Sequence, residues 1–225
     1  MSELTADRKE AAILAAHNEM VALCDTEGKI VGEVQRAKMR REGLPHMATY
    51  IFVIDSDNTH ILVQQRSAIK DFCPGQLDLA AGGVVSAGET DVMLSAHREL
   101  EEELGISGVP LTEKGTLRWQ TEDCLCFGRL FEVRVPRCTP LRLQDTEVDL
   151  VVWLPIDTVC DMIGHSDDDG GCIQDGRDEL RAKRLRHVTL HPILRAPFTP
   201  DTVAAFRQVY LSREAPTRPN YRPSD

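Results

Sequence analysis

The order of apolar and polar residues along the chain predicts short strands interrupted by a few helices. Short apolar runs bounded by Gly, Pro, Asp or Asn are typical of strands, and apolar residues three or four positions apart are typical of helices. The predicted strands cover residues 20–24, 30–34, 47–54, 61–65, 77–81, 115–120, 125–135 and 147–153. The predicted helices cover residues 5–18, 35–42, 155–164 and 201–212, together with one that ends at Leu104. The first two strands form a predicted β-hairpin.

The helix that ends at Leu104 has an apolar face that can pack on a core. Its apolar positions recur at helical spacing and are Met93, Ala96, Leu100 and Leu104. Gly105 follows at the position where the end of a helix favours a left-handed residue. Thr90 or Asp91 precedes the helix as its predicted N-cap, since both side chains can accept a hydrogen bond from a free backbone amide.

The adjacent face of the same helix is acidic. Glu99, Glu102 and Glu103 occupy positions i, i+3 and i+4, so their side chains lie on one side of the helix. Neighbouring carboxylates repel one another unless a cation lies between them, and Mg²⁺ prefers oxygen ligands. The alternative interpretation is an ordinary solvated acidic surface, which is what most runs of Glu are.

The residues around this helix resemble the Nudix box. That pattern reads Gly, five residues, Glu, seven residues, and then Arg-Glu-apolar-any-Glu-Glu-any-Gly-apolar. Residues 83–89 match its first part and residues 98–106 match its second part, but eight residues separate Glu89 from Arg98. A loop accepts an inserted residue at low cost. We therefore expect the extra residue to lie in the loop, with the N-cap shifted to Asp91.

The resemblance implies an α/β fold of the Nudix type, an α/β/α sandwich with a mixed sheet. We expect the Nudix hydrolase domain at residues 47–164. Residues 1–46 would form an N-terminal helix and β-hairpin extension, and residues 165–225 a C-terminal extension. This C-terminal part would consist of an acidic loop, a helix and a disordered tail.

The resemblance also implies divalent-metal-dependent hydrolysis of a diphosphate linkage, usually in a nucleoside diphosphate derivative. The cofactor would be Mg²⁺ or Mn²⁺. The residues that would bind it are Glu89, Glu99, Glu102 and Glu103, and the last three form the predicted catalytic set together with Arg98, which orients them. Gly82 and Gly83 would contribute to substrate binding, because their backbone can pass close to the helix and the metal.

The segment before the box is similar to the Nudix branch that adjoins isopentenyl-diphosphate isomerases. In those isomerases an Arg and a Lys at the positions of Arg66 and Lys70 hold the substrate diphosphate. An Arg fork and a Lys ammonium suit that task. The isomerases have Cys-Gly-His where this chain has Gly82-Gly83-Val84, so the catalytic Cys and one metal-binding His are replaced here.

The roles of two further residues are open, and so are two alternatives to hydrolysis. His46 matches another metal-binding histidine of the isomerases, although a single His at a strand edge is more often a structural hydrogen-bonding group. Glu147 precedes a predicted strand, where some relatives keep an additional acid. Isomerisation of a prenyl diphosphate is one alternative to hydrolysis. A non-catalytic Nudix module that binds a ligand is the other.

The composition limits the partners and the compartment. A net charge of −10 without a basic patch argues against binding of nucleic acid. The seven cysteines are scattered without Cys-x-x-Cys spacing, which favours a reducing, cytoplasmic location. The apolar run at residues 11–16 is too short to span a membrane. The expected partner is therefore a small-molecule diphosphate substrate, with no nucleic acid and no membrane, and a homodimer stays open.

Overall fold

The computed structural model describes residues 6–121 and 124–159. Within these residues the helices are α1 (Ala6–Asn18), α2 (Arg36–Glu42) and α3 (Val92–Leu104). The strands are β1 (Met20–Cys24), β2 (Ile30–Gln35), β3 (His46–Asp55), β4 (His60–Arg66), β5 (Leu77–Asp78), β6 (Ala80–Ala81), β7 (Thr112–Thr121), β8 (Cys124–Val135) and β9 (Val148–Pro155). Residues 156–159 are helical.

Strand β3 is the centre of a mixed sheet. It pairs in parallel with β8, from the pair His46–Cys126 to the pair Asp55–Val135. It pairs in the antiparallel sense with β1, β4 and β6. Strand β7 continues the sheet beyond β8, and β2 continues it beyond β1. The mixed sheet predicted from the resemblance is confirmed.

Strands β3 and β4 diverge soon after the turn that connects them. They share the pair Ile54–Ile61, and β4 then pairs along its length with β9. The sheet therefore has two parts, one around β3 and one formed by β4 and β9. The segment that follows β4 connects the two parts, because β5 pairs with β4 and β6 pairs with β3. The single strand predicted at residues 77–81 is therefore two short strands, and Leu79 lies where the chain passes from one partner to the other. Residues from both parts of the sheet line the cavity described below.

Apolar side chains cover both faces of the sheet. Ile51 and Val53 of β3 belong to the core on one face, whereas Phe52 and Ile54 belong to the core on the other face. The first core includes the predicted apolar positions of α3, namely Ala96, Leu100 and Leu104. The second includes Val159 from the helical residues 156–159. Burial of these side chains supplies the main favourable contribution to folding. The layers agree with the predicted α/β/α sandwich.

The predicted N-terminal hairpin joins the main sheet through the pair Leu23–His46. It brings α2 against the sheet, where Met39 of α2 is buried beside Val84. Helix α1 differs from the packing helix predicted at residues 5–18, because none of its side chains is buried. The hairpin thus places α2, and not α1, firmly against the part of the chain that precedes the box.

Two elements have boundaries that differ from the predicted ones. Strand β7 begins at Thr112 and not at residue 115, because an irregularity between Glu113 and Gly115 lets the pairing with β8 continue past Gly115. Pro155 ends β9, although it was predicted to begin a helix. The loop, helix and tail predicted at residues 165–225 lie outside the described residues. In the described part of the chain, no helix has both the length and the apolar character needed to cross a membrane.

Candidate active site

A cavity of about 350 Å³ lies beside the acidic face of α3. Its wall contains most of the residues predicted to act on a substrate: Arg66, Lys70, Gly82, Gly83, Arg98, Glu99, Glu102 and Glu103. Glu89 is not part of the wall. The structure therefore brings the predicted catalytic and substrate-binding residues together in one place, and Glu89 is connected to them through its hydrogen bonds with Arg98.

Helix α3 begins after the extra residue in the box. Its N-cap is Asp91, whose carboxylate accepts a hydrogen bond of 2.9 Å from the backbone amide of Met93. Gly105 ends the helix in the left-handed conformation and returns its amide to the carbonyl of Glu101. The insertion thus lies in the loop, as predicted, and the acidic residues of the helix keep the register of the box.

Glu103 lies deepest in the site, with only 4 % of its surface exposed. Its carboxylate accepts hydrogen bonds from the backbone amide of Gly82 at 3.1 Å and from the side chain of Gln64 at 3.4 Å. Burial raises the pKa of Glu103 to about 8, and the charges of Glu99 and Glu147 add to this increase. Near neutral pH this carboxyl group is therefore held where its charge is poorly tolerated.

Glu99 lies directly beneath the glycine pair. A Cβ atom at Gly83 would lie 2.7 Å from Oε2 of Glu99, closer than nonbonded atoms approach. At Gly82, which has a φ of +142°, a Cβ atom would lie 2.1 Å from the carbonyl oxygen of Thr49. Burial also raises the pKa of Glu99 to about 7, against the opposing charge of Arg98. Gly83 therefore permits the contact with Glu99, and Gly82 permits the close approach to the backbone of Thr49.

Arg98 connects the acidic residues. Its guanidinium lies 2.9 Å from Glu99, 3.0 Å from Glu102 and 3.0 Å from Glu89. Burial alone would lower the pKa of Arg98, but hydrogen bonding to Glu89 and the surrounding carboxylates raise it above its ordinary value. Arg98 stays charged and determines where these carboxylates lie.

Glu89 is held by donors of the chain itself. Both of its carboxylate oxygens accept hydrogen bonds from Arg98, and one of them also accepts from the hydroxyl of Ser95 and the amide of Ser86. Burial would raise its pKa, but the hydrogen bonds from Arg98 and Ser95 lower it below the ordinary value. Glu89 is ionised and already well supplied with hydrogen bonds.

The basic residues before the box are each paired with an acid. Arg66 donates to Asp78 at 3.3 Å and to the backbone carbonyl of Phe72 at 3.2 Å. Lys70 forms an ion pair with Glu147, a residue 77 positions away. Glu147 also lies close enough to Glu99 and Glu103 to raise the pKa of both. Glu147 thus stands between the cationic and the acidic parts of the site.

The carboxylates are spaced too far apart to form a ready metal site. Across residues 6–121 and 124–159, no three His, Cys, Asp or Glu side chains are grouped closely enough to hold a metal ion. Glu102 is half exposed and paired with Arg98. The donor chemistry nevertheless fits a hard divalent cation, since Glu99 and Glu103 supply oxygen ligands whose raised pKa values a nearby cation would lower.

Several residues of the cavity wall were not predicted. They are Arg36 and Arg40 from α2 and the aromatic residues Tyr50, Phe72 and Trp119. The signal in the sequence was the spacing of the two arginines, four positions apart in a predicted helix, which places them on one face. His46 also lines the cavity; it is buried, and its Nδ1 donates to the carbonyl of Leu44 at 3.0 Å. Burial and the charge of Arg40 lower the pKa of His46 to about 4, so this ring is neutral.

Comparison with known proteins agrees with the site. The sequence model of the NUDIX domain matches residues 44–174, which is more than half of the chain. The uncharacterized Nudix hydrolase YfcD of Escherichia coli (strain K12) is 44 % identical over 142 residues, covering 62 % of this chain and 75 % of that protein. The uncharacterized Nudix hydrolase PA4841 of Pseudomonas aeruginosa is 37 % identical over 138 residues, covering 60 % of this chain and 77 % of that protein.

A solved structure gives the same fold. The crystal structure of DR0079 from Deinococcus radiodurans superimposes with a TM-score of 0.55 at 21 % identity, covering 73 % of this chain and 98 % of that one. The more specific placement beside the isomerases stays a prediction. Nudix hydrolases generally use divalent metal ions and act on small molecules. The chain belongs to the Nudix family and is a hydrolase that acts on diphosphate bonds.

Proposed function

We propose that this enzyme hydrolyses the diphosphate linkage of a nucleoside diphosphate derivative with the help of Mg²⁺ or Mn²⁺. The observation that carries the proposal is a pair of carboxyl groups, the buried Glu103 and the largely buried Glu99, in a cavity that also contains Arg66 and Lys70. The two acids supply oxygen ligands for a cation on one side of the substrate, and the two basic residues favour an anion on the other.

The residues that would hold the metal are Glu99, Glu102 and Glu103, with Glu89 as a further ligand. When bound, the ion neutralises charge on the phosphate oxygens and lowers the pKa of a coordinated water. In the absence of metal, the guanidinium of Arg98 forms ion pairs with Glu99 and Glu102. These two side chains would therefore turn from Arg98 to the ion, while the bonds from Arg98 to Glu89 keep the guanidinium in place.

Arg66 and Lys70 would bind the diphosphate. The Glu147 side chain forms its ion pair with Lys70, so an incoming phosphate group can replace Glu147 at the ammonium group. Glu147 would then be released toward Glu99 and Glu103. A carboxylate freed beside the reacting phosphate can accept the proton of the attacking water, and we propose Glu147 for this role.

The backbone of Gly82 has a positioning role. Its amide donates to Glu103, and the absence of a side chain at Gly83 lets the loop lie against Glu99. The loop and α3 are thereby fixed relative to each other. This arrangement holds Glu103 against the loop before substrate arrives, which is favourable for catalysis because this residue then needs little reorganisation.

We also propose a cellular location for the enzyme. The five cysteines of the described residues are all unpaired, and Cys24, Cys124 and Cys126 are buried. Unpaired thiols support the predicted cytoplasmic location. The oligomeric state stays open, with a homodimer as the commonest arrangement for such an enzyme.

The test is a screen of diphosphate compounds with Mg²⁺ and with Mn²⁺. Dinucleotides, nucleotide sugars and coenzyme-type diphosphates are incubated with the enzyme, and products are separated by ion-exchange chromatography. We expect cleavage between the two phosphorus atoms, loss of cleavage in excess chelator, and loss in Glu103→Gln. Glu101→Gln is the matched control, since Glu101 is exposed on the same helix and lies outside the cavity wall. Cleavage that continues in chelator would exclude the metal-dependent reaction.

A further inference from the structure

The first strand of the N-terminal extension, β1, lies against the loop that precedes α3. The amide of Ala22 donates to the carbonyl of Val85 at 2.9 Å, and the amide of Ala87 donates to the carbonyl of Met20 at 2.9 Å. Between these two bonds the segments pair in the antiparallel sense. The family model begins at residue 44, so β1 lies outside the matched domain. The extension therefore fixes the backbone of this loop from outside that domain.

Glu19 immediately precedes β1 and extends this contact to side chains. It lines the cavity. One of its carboxylate oxygens accepts a hydrogen bond of 2.7 Å from Arg36 of α2, and the other accepts from the hydroxyl of Ser86 at 3.4 Å. Arg36 also donates to both oxygens of Asp71 at 3.3 Å. A firmly held cation therefore fixes one side of the Glu19 carboxylate, and the other side faces the loop.

The hydroxyl of Ser86 connects Glu19 to Arg98. The Nη2 atom of Arg98 donates to the hydroxyl oxygen of Ser86 at 3.3 Å. A guanidinium can only donate and a carboxylate can only accept, so the proton of the hydroxyl points to Glu19. The direction of the chain of hydrogen bonds is thus fixed at both ends. A hydroxyl that donates to a carboxylate is also a stronger acceptor, because successive hydrogen bonds polarise one another.

This support matters because metal binding removes two partners of Arg98. In the function proposed above, Glu99 and Glu102 leave the guanidinium for the ion. The partners that Arg98 then keeps are Glu89 and Ser86. A guanidinium that is poorly held beside the loop competes with the ion for Glu99 and Glu102. The affinity for the ion therefore depends on how well Glu89 and Ser86 hold Arg98.

We propose that Glu19 is a positioning residue of the active site and that it acts on Arg98 through Ser86. It keeps the guanidinium beside the loop while Glu99 and Glu102 bind the metal ion. This inference rests on the proposed function, because it gives Glu19 a role at that metal site without making it a ligand. The N-terminal extension then contributes to the reaction as well as to the sheet.

Two substitutions interrupt the chain of hydrogen bonds at different points. In Glu19→Gln the amide has a single acceptor oxygen, so it cannot accept from both Arg36 and Ser86. The charged Arg36 is the stronger donor and takes that oxygen, which leaves the hydroxyl of Ser86 without an acceptor. Ser86→Ala removes the hydroxyl itself. The matched control is Glu33→Gln, since Glu33 is exposed in the same hairpin and lies outside the cavity wall.

The experiment measures Mn²⁺ binding by titration calorimetry in the native protein, the two variants and their combination. We expect each single variant to bind Mn²⁺ about fivefold more weakly, the scale of one hydrogen bond. The combined variant should bind no more weakly than either, because both changes remove the same connection. Additive losses would show that Glu19 acts by another route. A loss in Glu19→Gln alone would make Glu19 a metal ligand. Either result, or an unchanged affinity in Glu19→Gln, would overturn the proposal.

A second measurement needs neither metal nor substrate. The ¹⁵N NMR signal of the Arg98 Nε–H group, identified by its loss in Arg98→Lys, reports how firmly the guanidinium is held. We expect its hydrogen exchange to be at least about threefold faster in Glu19→Gln and in Ser86→Ala, and equally fast in the combined variant. Unchanged exchange in Glu19→Gln would overturn the connection. If Glu19→Gln does not fold, as judged by circular dichroism, Glu19→Asp replaces it, since its shorter side chain draws the carboxylate away from Ser86.

Failure of this inference and failure of the proposed function give different results. If the native protein binds no Mn²⁺ and cleaves no diphosphate compound, the proposed metal-dependent function is wrong, and the exchange of the Arg98 signal still decides whether Glu19 positions Arg98. If the native protein binds Mn²⁺ and cleaves such compounds, but Glu19→Gln behaves like Glu33→Gln in both measurements, only the role of Glu19 is wrong.

Discussion

Gly83 and Glu99 are in such close contact that the glycine determines where the carboxylate lies. A Cβ atom at position 83 would meet three atoms of the Glu99 carboxyl group at 2.7–2.9 Å. These atoms belong to the end of a flexible side chain, so Glu99 can move away while the backbone stays in place. The two residues are 16 positions apart in the chain, and their contact fixes the glycine loop against α3.

Gly83→Ala should therefore impair catalysis more than folding. We expect kcat to fall by at least about tenfold, equivalent to roughly 1.4 kcal/mol, because Glu99 is pushed from its position beneath the loop. The unfolding temperature should change by only a few degrees. Steady-state kinetics and thermal unfolding measure the two effects. A variant with wild-type kcat would show that Glu99 can act from a displaced position.

The metal-free protein should lose stability as the pH rises. The pKa of Glu103 is about 8 in the folded protein against an ordinary value of 4.5, and that of Glu99 is about 7. The folded state therefore binds more protons than the unfolded state between these values, and stability decreases as the pH rises through about 5 to 8. A divalent cation favours the ionised carboxylates, so Mg²⁺ should stabilise the protein most at the upper end of this range.

Thermal unfolding with chelator and with Mg²⁺ at pH 5, 7 and 8.5 tests this behaviour. Glu103→Gln supplies the control, since it removes the group with the larger shift and should flatten the pH dependence of the unfolding temperature in chelator. In the same variant the stabilisation by Mg²⁺ should be reduced. An equal pH dependence in the native protein and in Glu103→Gln would show that other groups control the stability.

The sequence predicted the parts of the site that depend on local spacing. The positions of Glu99, Glu102 and Glu103 on one side of α3 follow from helical geometry alone, and the N-cap at Asp91 follows from the extra residue in the box. Helical spacing gives the side of the helix but not the depth at which each residue lies. That Glu103 is buried while the side chain of Glu102 is 49 % exposed depends on the loop packed above them.

The remaining parts of the site depend on contacts between distant segments. Lys70 meets Glu147 because β9 pairs with β4, and a pattern within either segment contains no information about that pairing. Arg36 and Arg40 reach the cavity because β1 pairs with β3 and carries α2 with it. Trp119 reaches it through the pairing of β7 with β8. Each of these placements is decided by tertiary structure.

Replacing Arg66 or Lys70 by Ala should weaken the handling of the diphosphate. We expect kcat/KM to fall by an amount equivalent to about 1–3 kcal/mol, the scale of a lost hydrogen bond between charged groups. Lys70→Ala also leaves Glu147 without its ion pair beside Glu99 and Glu103, so its unfolding temperature should fall more above neutral pH. Lys38→Ala is the control, since Lys38 is exposed on α2 and lies outside the cavity wall. Unchanged kinetics in both variants would exclude Arg66 and Lys70 as substrate-binding residues.

Glu103 and Glu89 should differ sharply in their importance for turnover. Glu103 lies in the cavity wall and accepts hydrogen bonds from Gly82 and Gln64, whereas Glu89 lies outside the wall and is occupied by Arg98, Ser95 and Ser86. We expect Glu103→Gln to lower kcat at least about tenfold more than Glu89→Gln, a difference of roughly 1.4 kcal/mol. Single-turnover kinetics at saturating Mg²⁺ measures the difference without interference from product release. Equal losses in the two variants would place Glu89 among the metal ligands on the same footing as Glu103, and the inserted residue would then have no effect on the mechanism.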